Sequence, residues 1–564
     1  MKPLFTSLLF MVSGFFFSSR AQDLEKINFK KPFEISGNLN FTSESYSVRG
    51  IPVRRQPFSW VISGAPNVKI FGFQLPFNFL FSNFQNRYYQ PFNQYGVSPK
   101  YKWIKLHAGY RNISFSQYTL AGFRMLGGGF ELTPGKLRMG FMYGQLNRST
   151  AIDSVQFANP LAFRPTPTYT RMAYAAKLGV GTANNYFDLS YLKGWDVVKK
   201  TDAAAVDSVA PAENTAFGFS WKLTFFKKLF WQTDLGVSVY TNDTRSELVV
   251  DSTFKKIERQ LLGDWLQARV STQFLTAGET RFGYQDKYFG LSVSYKRIDP
   301  DYKSMGAYFF QSDIQQVNIS PNLRLLKGKL FISGSGGIQE DNLSKLKLAT
   351  SRRVIGNGNI SWNPSSLFGI NVNYSNFGIT RNPFVATPST ELFKQVSQSF
   401  SIVPYLNLSN DRYAQSYQLV ASYQSLNSPV QSINTAADQH TTVGSFIYGI
   451  NWVKSTISLT SSINYNNTAL PQGAVGSYGA GVGGGVGLLK KRMQLGANLL
   501  LNNNYFNGLA NGNTVNGTVN IAVPLKKKQN LQFQLIYLKN KSNDETVIKS
   551  FSEVTVRVSY GVSF

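Results

Sequence analysis

The chain of 564 residues contains no cysteine and only two histidines. Beyond its first 21 residues it has no uninterrupted apolar run of the roughly 18 residues that a membrane-spanning helix requires. Each scarcity removes a class of function. Without cysteine there is neither a disulfide framework nor a thiolate metal site. His107 and His440 stand far apart in the sequence, and neither has a histidine or carboxylate at ligand spacing, so both read as ordinary wall or rim residues. No G-x-S-x-G, H-E-x-x-H or Walker sequence is present, which leaves no catalytic residue, metal or cofactor to expect and points away from an enzyme. Charge is also sparse at 16%, and acidic residues are outnumbered, 30 against 58 basic.

Aromatic residues, in contrast, make up 15% of the chain. So many aromatics with so few charges need an apolar surroundings that several soluble domains would not supply. A β-barrel hides its hydrophobicity in alternation, so its mean hydropathy, here −0.18, can be negative in an integral membrane protein. Residues 1–21, with Lys2, an apolar stretch and Ser19-Arg20-Ala21, have the three regions of a cleaved secretory signal peptide. Export sets nucleic acid aside as a partner for the basic excess.

Strand-like alternation begins at Phe33, Ile35, Gly37, Leu39 and Phe41. Phe71, Phe73, Leu75, Phe77, Phe79 and Phe81 form a second apolar face that suits lipid. Residues 111–122 are less regular and read as a segment folded into the lumen or a short strand. Tight, often basic turns at 133–136, 226–229, 326–329, 489–492 and 525–528 separate alternating segments, and longer polar loops lie between them. Short turns at one end and long loops at the other are the outer-membrane pattern, with the turns toward the periplasm. The count comes to about 24 to 26 strands in an all-β, transmembrane, antiparallel up-and-down β-barrel spanning 22–564. One segment, 254–269, has helical spacing and reads as an amphipathic helix in an outer loop.

The final strand is the most regular. Val558, Tyr560, Val562 and Phe564 share an apolar face, and Glu553, Arg557 and Ser559 share the polar one. This ending resembles the last strand of bacterial outer-membrane β-barrels, whose terminal aromatic is read by the barrel-insertion machinery. The stretches Tyr95-Gly-Val-Ser-Pro99, Gly109-Tyr-Arg111, Phe115-Ser-Gln-Tyr118 and Arg297-Ile-Asp-Pro300 are similar to those of large, porin-like outer-membrane barrels common in Bacteroidetes. The resemblance implies residence in the cell outer membrane, with lipid, lipopolysaccharide and the insertion machinery as partners. The short lead before the first strand leaves no room for the N-terminal plug domain that TonB-dependent transporters carry.

Alternation assigns Lys105, Arg138, Arg171, Lys177, Lys222, Lys296, Arg324, Arg353 and Arg557 to the lumen, against Glu34, Glu131, Asp188, Asp234 and Glu553. Nine cations to five carboxylates favour anions in an open pore, unless the charges are consumed in internal ion pairs or meet lipopolysaccharide phosphates. Arg297, Asp299, Tyr302 and Lys303 mix charges and aromatics as an inward-folded binding loop would, although a solvated, ion-paired outer loop is the expected reading. Gly479-Ala-Gly-Val-Gly-Gly484 matches G-x-G-x-x-G but lies in a strand pattern with no helix after it, so its glycines serve bending or close packing. The functional expectation is a pore or solute-binding transporter, with anionic solutes favoured. The alternative is an interaction subunit of a secretion or surface-attachment assembly, its basic turns facing a periplasmic partner.

Overall fold

The structure, a computed structural model, describes residues 33–83, 93–150, 167–199, 209–249, 268–307, 311–383, 393–427, 438–489, 492–526, 528–545 and 549–564. The expected leader lies outside these residues, as does nearly all of the expected helix over 254–269.

Alternation of apolar and polar residues gives each strand two unlike faces, and an open sheet of such strands would leave two unpaired edges. Closure removes both. Asn38–Arg49 pairs antiparallel with Phe551–Ser563, placing Leu39 opposite Val562 and Phe41 opposite Tyr560. The two ends are joined further by reciprocal backbone hydrogen bonds of 3.1 Å between Gly37 and Phe564. Between them every wall strand pairs with its sequence neighbours. Of 31 strand segments, Leu120–Ala121 and Gly306–Ala307 form a separate parallel pair, and the remaining 29 belong to one sheet. Three wall strands are each broken into two segments, so the barrel has 26 strands.

The three breaks fall early and have local causes. Gly37, at φ 138°, separates Phe33–Ser36 from Asn38–Arg49, and a Cβ there would stand 2.5 Å from the Ala65 carbonyl oxygen. Pro66 and Pro99, which lack an N–H for the ladder, interrupt the second and fourth wall strands. Phe71 is not a strand residue as its alternation suggests: it holds φ 48° in the turn before Phe73–Ser82.

The outward face of the sheet is apolar along its whole perimeter. Leu106, Leu178, Leu189, Phe217, Val293, Ile319, Phe446, Ile463 and Leu501 are all exposed on it. In water such a belt would be unstable; against acyl chains it is the favoured surface. The opposite face carries the polar residues, and the only contiguous buried apolar cluster among the described residues forms there, over the strands between Ile104–Asn112 and Ile314–Leu325.

Candidate functional site: the lumen and its inward loops

Residues 113–123 and 299–307 leave the same rim, opposite the tight turns, and fold into the barrel. They meet through Leu120–Ala121 and Gly306–Ala307. Tyr118 and Tyr302 cross edge to face at 6.0 Å, and the Tyr302 hydroxyl donates to the Tyr118 carbonyl at 2.8 Å. Ser304 Oγ donates to the Thr119 carbonyl at 2.8 Å. Burial, with the negative charge of Asp234, pushes the Tyr302 phenol up, which keeps it a neutral donor.

The wall supplies a seat made of missing side chains. Gly140, Gly194, Gly218 and Gly236, with Ala173, Ala175, Ala216 and Ala277, face the loops. A Cβ on Gly236 would sit 2.3 Å from Tyr118 Cβ, and one on Gly218 would sit 2.9 Å from Thr119 Cγ2. Wall polar groups then fix the loops in register. Asp234 accepts from Ser116 Oγ at 2.7 Å, Ser220 Oγ at 2.9 Å and the Gln117 N–H at 3.1 Å. Asn214 Oδ1 accepts from the Met305 N–H at 3.0 Å, and Ser238 Oγ donates to the Lys303 carbonyl at 2.7 Å. The loops are therefore a fixed lining of one side of the lumen.

This corrects the expectation of a solvated loop at 297–308. Tyr302 is 3% exposed. Asp299 Oδ2 accepts from the Thr276 N–H at 2.8 Å and its hydroxyl at 2.5 Å, which ties the start of the loop to the neighbouring strand. Lys303 Nζ lies 4.2 Å from the Tyr240 ring centroid and donates to Asn242 Oδ1, and burial lowers its pKa. Arg297 reaches Gln315 Oε1 at 3.4 Å and Asp299 at 3.7 Å, the one ion pair within the cluster. Residues 111–122 both fold inward and form a short strand.

The charges assigned to the lumen by alternation all lie on the face opposite the apolar belt, and many are paired across strands. Arg138 makes two 2.8 Å bonds to Asp188, Arg171 binds both oxygens of Asp196, and Lys105 reaches Glu131 at 2.8 Å. Lys296 lies 3.8 Å from Glu279. Arg557 donates to Glu44 at 2.7 Å across the barrel seam. Lys177, Lys222, Arg324 and Arg353 make no ion pair among the described residues; Lys177 lies over the Phe115 ring and Arg353 over that of Phe377. A cavity of about 500 Å³ beside the inward loops is lined by Arg138, Lys177, Arg281, Asp188, Asp234 and Glu279. A second, of about 570 Å³ at the turn rim, has Lys287, Arg324 and Lys327 with Tyr288 and Phe331.

Two partners escaped sequence reasoning. Glu44 opposes Arg557 in the seam, a contact between the two ends of the chain. His107 is buried between Ser98 Oγ and Glu131 Oε1, both at 2.9 Å. Glu131 comes from the adjacent strand, where sequence spacing gives no hint of proximity. His440 stacks on Tyr423 at the rim. Among the described residues no three histidine, cysteine or carboxylate side chains converge as a metal site.

The other side of the lumen is different in kind. No charged residue occurs over 413–437, 455–489 or 493–525. The inward faces there carry serine, threonine and asparagine, with one strand bare. Gly479, Gly481, Gly483, Gly485 and Gly487 alternate along the lumen face of Gly473–Leu488. A Cβ on Gly479 or Gly483 would fall 1.9 Å from Oδ1 of Asn502 or Asn498, so the neighbouring amides lie across the glycine strip. A polar concavity of about 1050 Å³ continues this face to the seam, lined by Gln494, Asn520, Gln532, Gln534, Glu44 and Arg557.

No protein-family model matches the chain. No curated protein matches it either. Solved structures with a similar fold include the P pilus usher (PapC) translocation pore, at TM-score 0.41 and 10% identity, covering 94% of this chain and 99% of that one. The FrpB iron transporter from Neisseria meningitidis aligns at TM-score 0.37 and 8% identity over 94% of this chain and 81% of its own. An anion-selective porin from Comamonas acidovorans aligns at TM-score 0.24 and 12% identity over 51% of this chain and 100% of its own. At such identities the fold rests on the strand pairing itself.

Proposed function

We propose that this chain is an outer-membrane pore passing small hydrophilic solutes, with its turn rim in the periplasm and a mild preference for anions. The observation that carries the proposal is the ratio of wall to filling. Closing 26 strands, each about 4.8 Å from the next and tilted about 40°, gives a wall roughly 160 Å around and a backbone diameter of about 50 Å. Among the described residues, the two inward loops are anchored to one side and line such a lumen without filling it. The apolar belt supports residence in a bilayer, and the charge pattern supports the anion preference. The lumen carboxylates of this set are bonded to cations or hydroxyls, whereas Lys222, Arg324 and Arg353 make no ion pair among the described residues.

Planar-bilayer recording of the purified barrel tests this. Steady conductance with a reversal potential favouring chloride is expected, and replacing Lys222, Arg324 and Arg353 together by Gln should bring the selectivity toward unity while leaving the conductance open. Silent but folded barrels that co-purify with an envelope protein would overturn the pore and favour an interaction subunit.

A further inference from the structure

The rim that holds both strand ends is built from tight turns of unusual composition. Among the described turn residues there, Lys102, Lys136, Lys227, Lys228, Lys287, Lys327, Lys329, Arg412, Lys454, Arg492 and Lys528 face two acids, Asp286 and Asp411. All eleven cations are exposed. Asp286 is engaged by Lys228 at 3.2 Å. The opposite rim shows no such excess in its described loops, where Asp243, Glu247, Asp299, Asp301, Asp313, Asp341, Asp438, Asp544 and Glu545 mix with Arg54, Arg55, Arg148, Lys199, Arg245, Arg269, Lys303, Lys345, Lys347 and Lys549.

The same turns place bulky apolar residues where the backbone resists them. Tight hairpins of this type want Asn or Gly at their central positions, because φ is positive there. Here Phe71 stands at φ 48°, Phe226 at 51°, Leu326 at 52° and Leu489 at 52°. Three of these side chains stand largely clear of protein: Phe226 is 90% exposed, Leu489 71% and Leu326 61%. A strained backbone carrying an uncovered apolar group gains nothing in water. Phe226 and Leu326 are each followed directly by a lysine, Lys227 and Lys327. An apolar group beside an ammonium, continuous with a lipid-facing belt, matches the boundary between acyl chains and phosphate headgroups.

We propose that this rim docks on an anionic glycerophospholipid leaflet, with Phe226, Leu326 and Leu489 entering the acyl boundary and the adjoining lysines meeting headgroup phosphates. The surface is separate from the lumen and holds whether or not the barrel conducts. An acidic protein would also meet the charge, but it would not explain apolar side chains spaced around the perimeter at the level of the bilayer surface.

The test is native mass spectrometry of the full-length barrel released from micelles containing equal phosphatidylglycerol and phosphatidylcholine. Retained lipid should favour phosphatidylglycerol by about fivefold, the factor one lysine near an anionic surface is worth. The variant K227Q/K228Q/K327Q/K329Q should lose most of that preference, while R54Q/R55Q at the other rim should keep it; heat-modifiable gel mobility certifies that each is folded. F226N/L326N, which suits the turn backbone better, should fold at least as well yet retain less lipid of both kinds. Equal retention of the two lipids by the native barrel, or an unchanged preference in the lysine variant, overturns the proposal. So does a native barrel indifferent to headgroup charge that binds polyglutamate, which would assign the rim to an acidic protein.

Discussion

Asp234 shows how one side chain sets the internal geometry. Its carboxylate takes three donors from two sources, Ser116 and Gln117 on the inward loop and Ser220 on the adjacent strand. Asp234→Ala would strand these donors, and loss of hydrogen bonds to a charged group should reduce the local stability of the loop by about 2–3 kcal/mol. Asp234→Asn should cost less, because both serines bond to the same oxygen and only the Gln117 amide needs the other. Hydrogen exchange at residues 114–121 reads the difference: rapid exchange in the Ala variant, intermediate in Asn, and unchanged protection in the seam strands. Gly236 acts on the same contact by absence, since any side chain there meets Tyr118. Alternation alone placed Asp234 on the lumen face. Its partner Ser116 lies 118 positions away, and nothing in sequence spacing announces a contact made by a loop folded back across the wall.

At the scale of elements, the strands are fixed by their own alternation and the inward loops by what they touch. Residues 311–313, which lead into the next wall strand, carry a tether to another outer loop: Asp313 bonds to Lys347 and accepts the Leu343 N–H at 2.8 Å. Burial alone would raise the Asp313 carboxyl, but Lys347 and the backbone N–H groups of Leu343 and Asn342 outweigh it and hold it below the usual carboxylate range. The same hydrogen bond raises the Lys347 ammonium. A carboxyl depressed in the folded state stabilises above its unfolded value, about 3.9, and loses that contribution as pH falls through the folded value. A raised ammonium stabilises below its unfolded value, about 10.4, and loses that contribution as pH rises through the folded one. Exchange protection of residues 311–313 and 341–349 should therefore be flat between about pH 5 and 9 and decline below about pH 4. Protection that changed near neutrality would assign the tether to another group. Read from sequence, the charge mixture at 297–303 favours a solvated loop. What decides for burial is the row of glycines and alanines beneath it, spread over several strands and visible only once those strands are paired.

For the whole molecule, the fold was legible because a barrel repeats one rule. Every strand offers the same two-residue period, and tight turns mark where it reverses. The early strands were the exception: Pro66, Pro99 and the positive φ of Phe71 break the alternation that the later, longer strands keep. Pairing of charges was not legible, since Glu44 with Arg557 is a consequence of closure. Closure itself therefore offers the sharpest test of register. Val558 and Ser559 are adjacent in the seam strand, opposite Ser43 and Thr42. Val558 belongs to the outward apolar set, whereas Ser559 Oγ lies 3.1 Å from Thr42 Oγ1 inside. Val558→Lys puts an ammonium against acyl chains, which near the bilayer midplane costs about 2–4 kcal/mol. Ser559→Lys puts the same charge into water beside Glu44 and should be nearly neutral. Reversible unfolding in vesicles would show a large loss for the first and almost none for the second. Because a slip of one residue exchanges the two faces, the opposite order would mean that the seam is paired in the other register, with Arg557 toward lipid and Tyr560 inside.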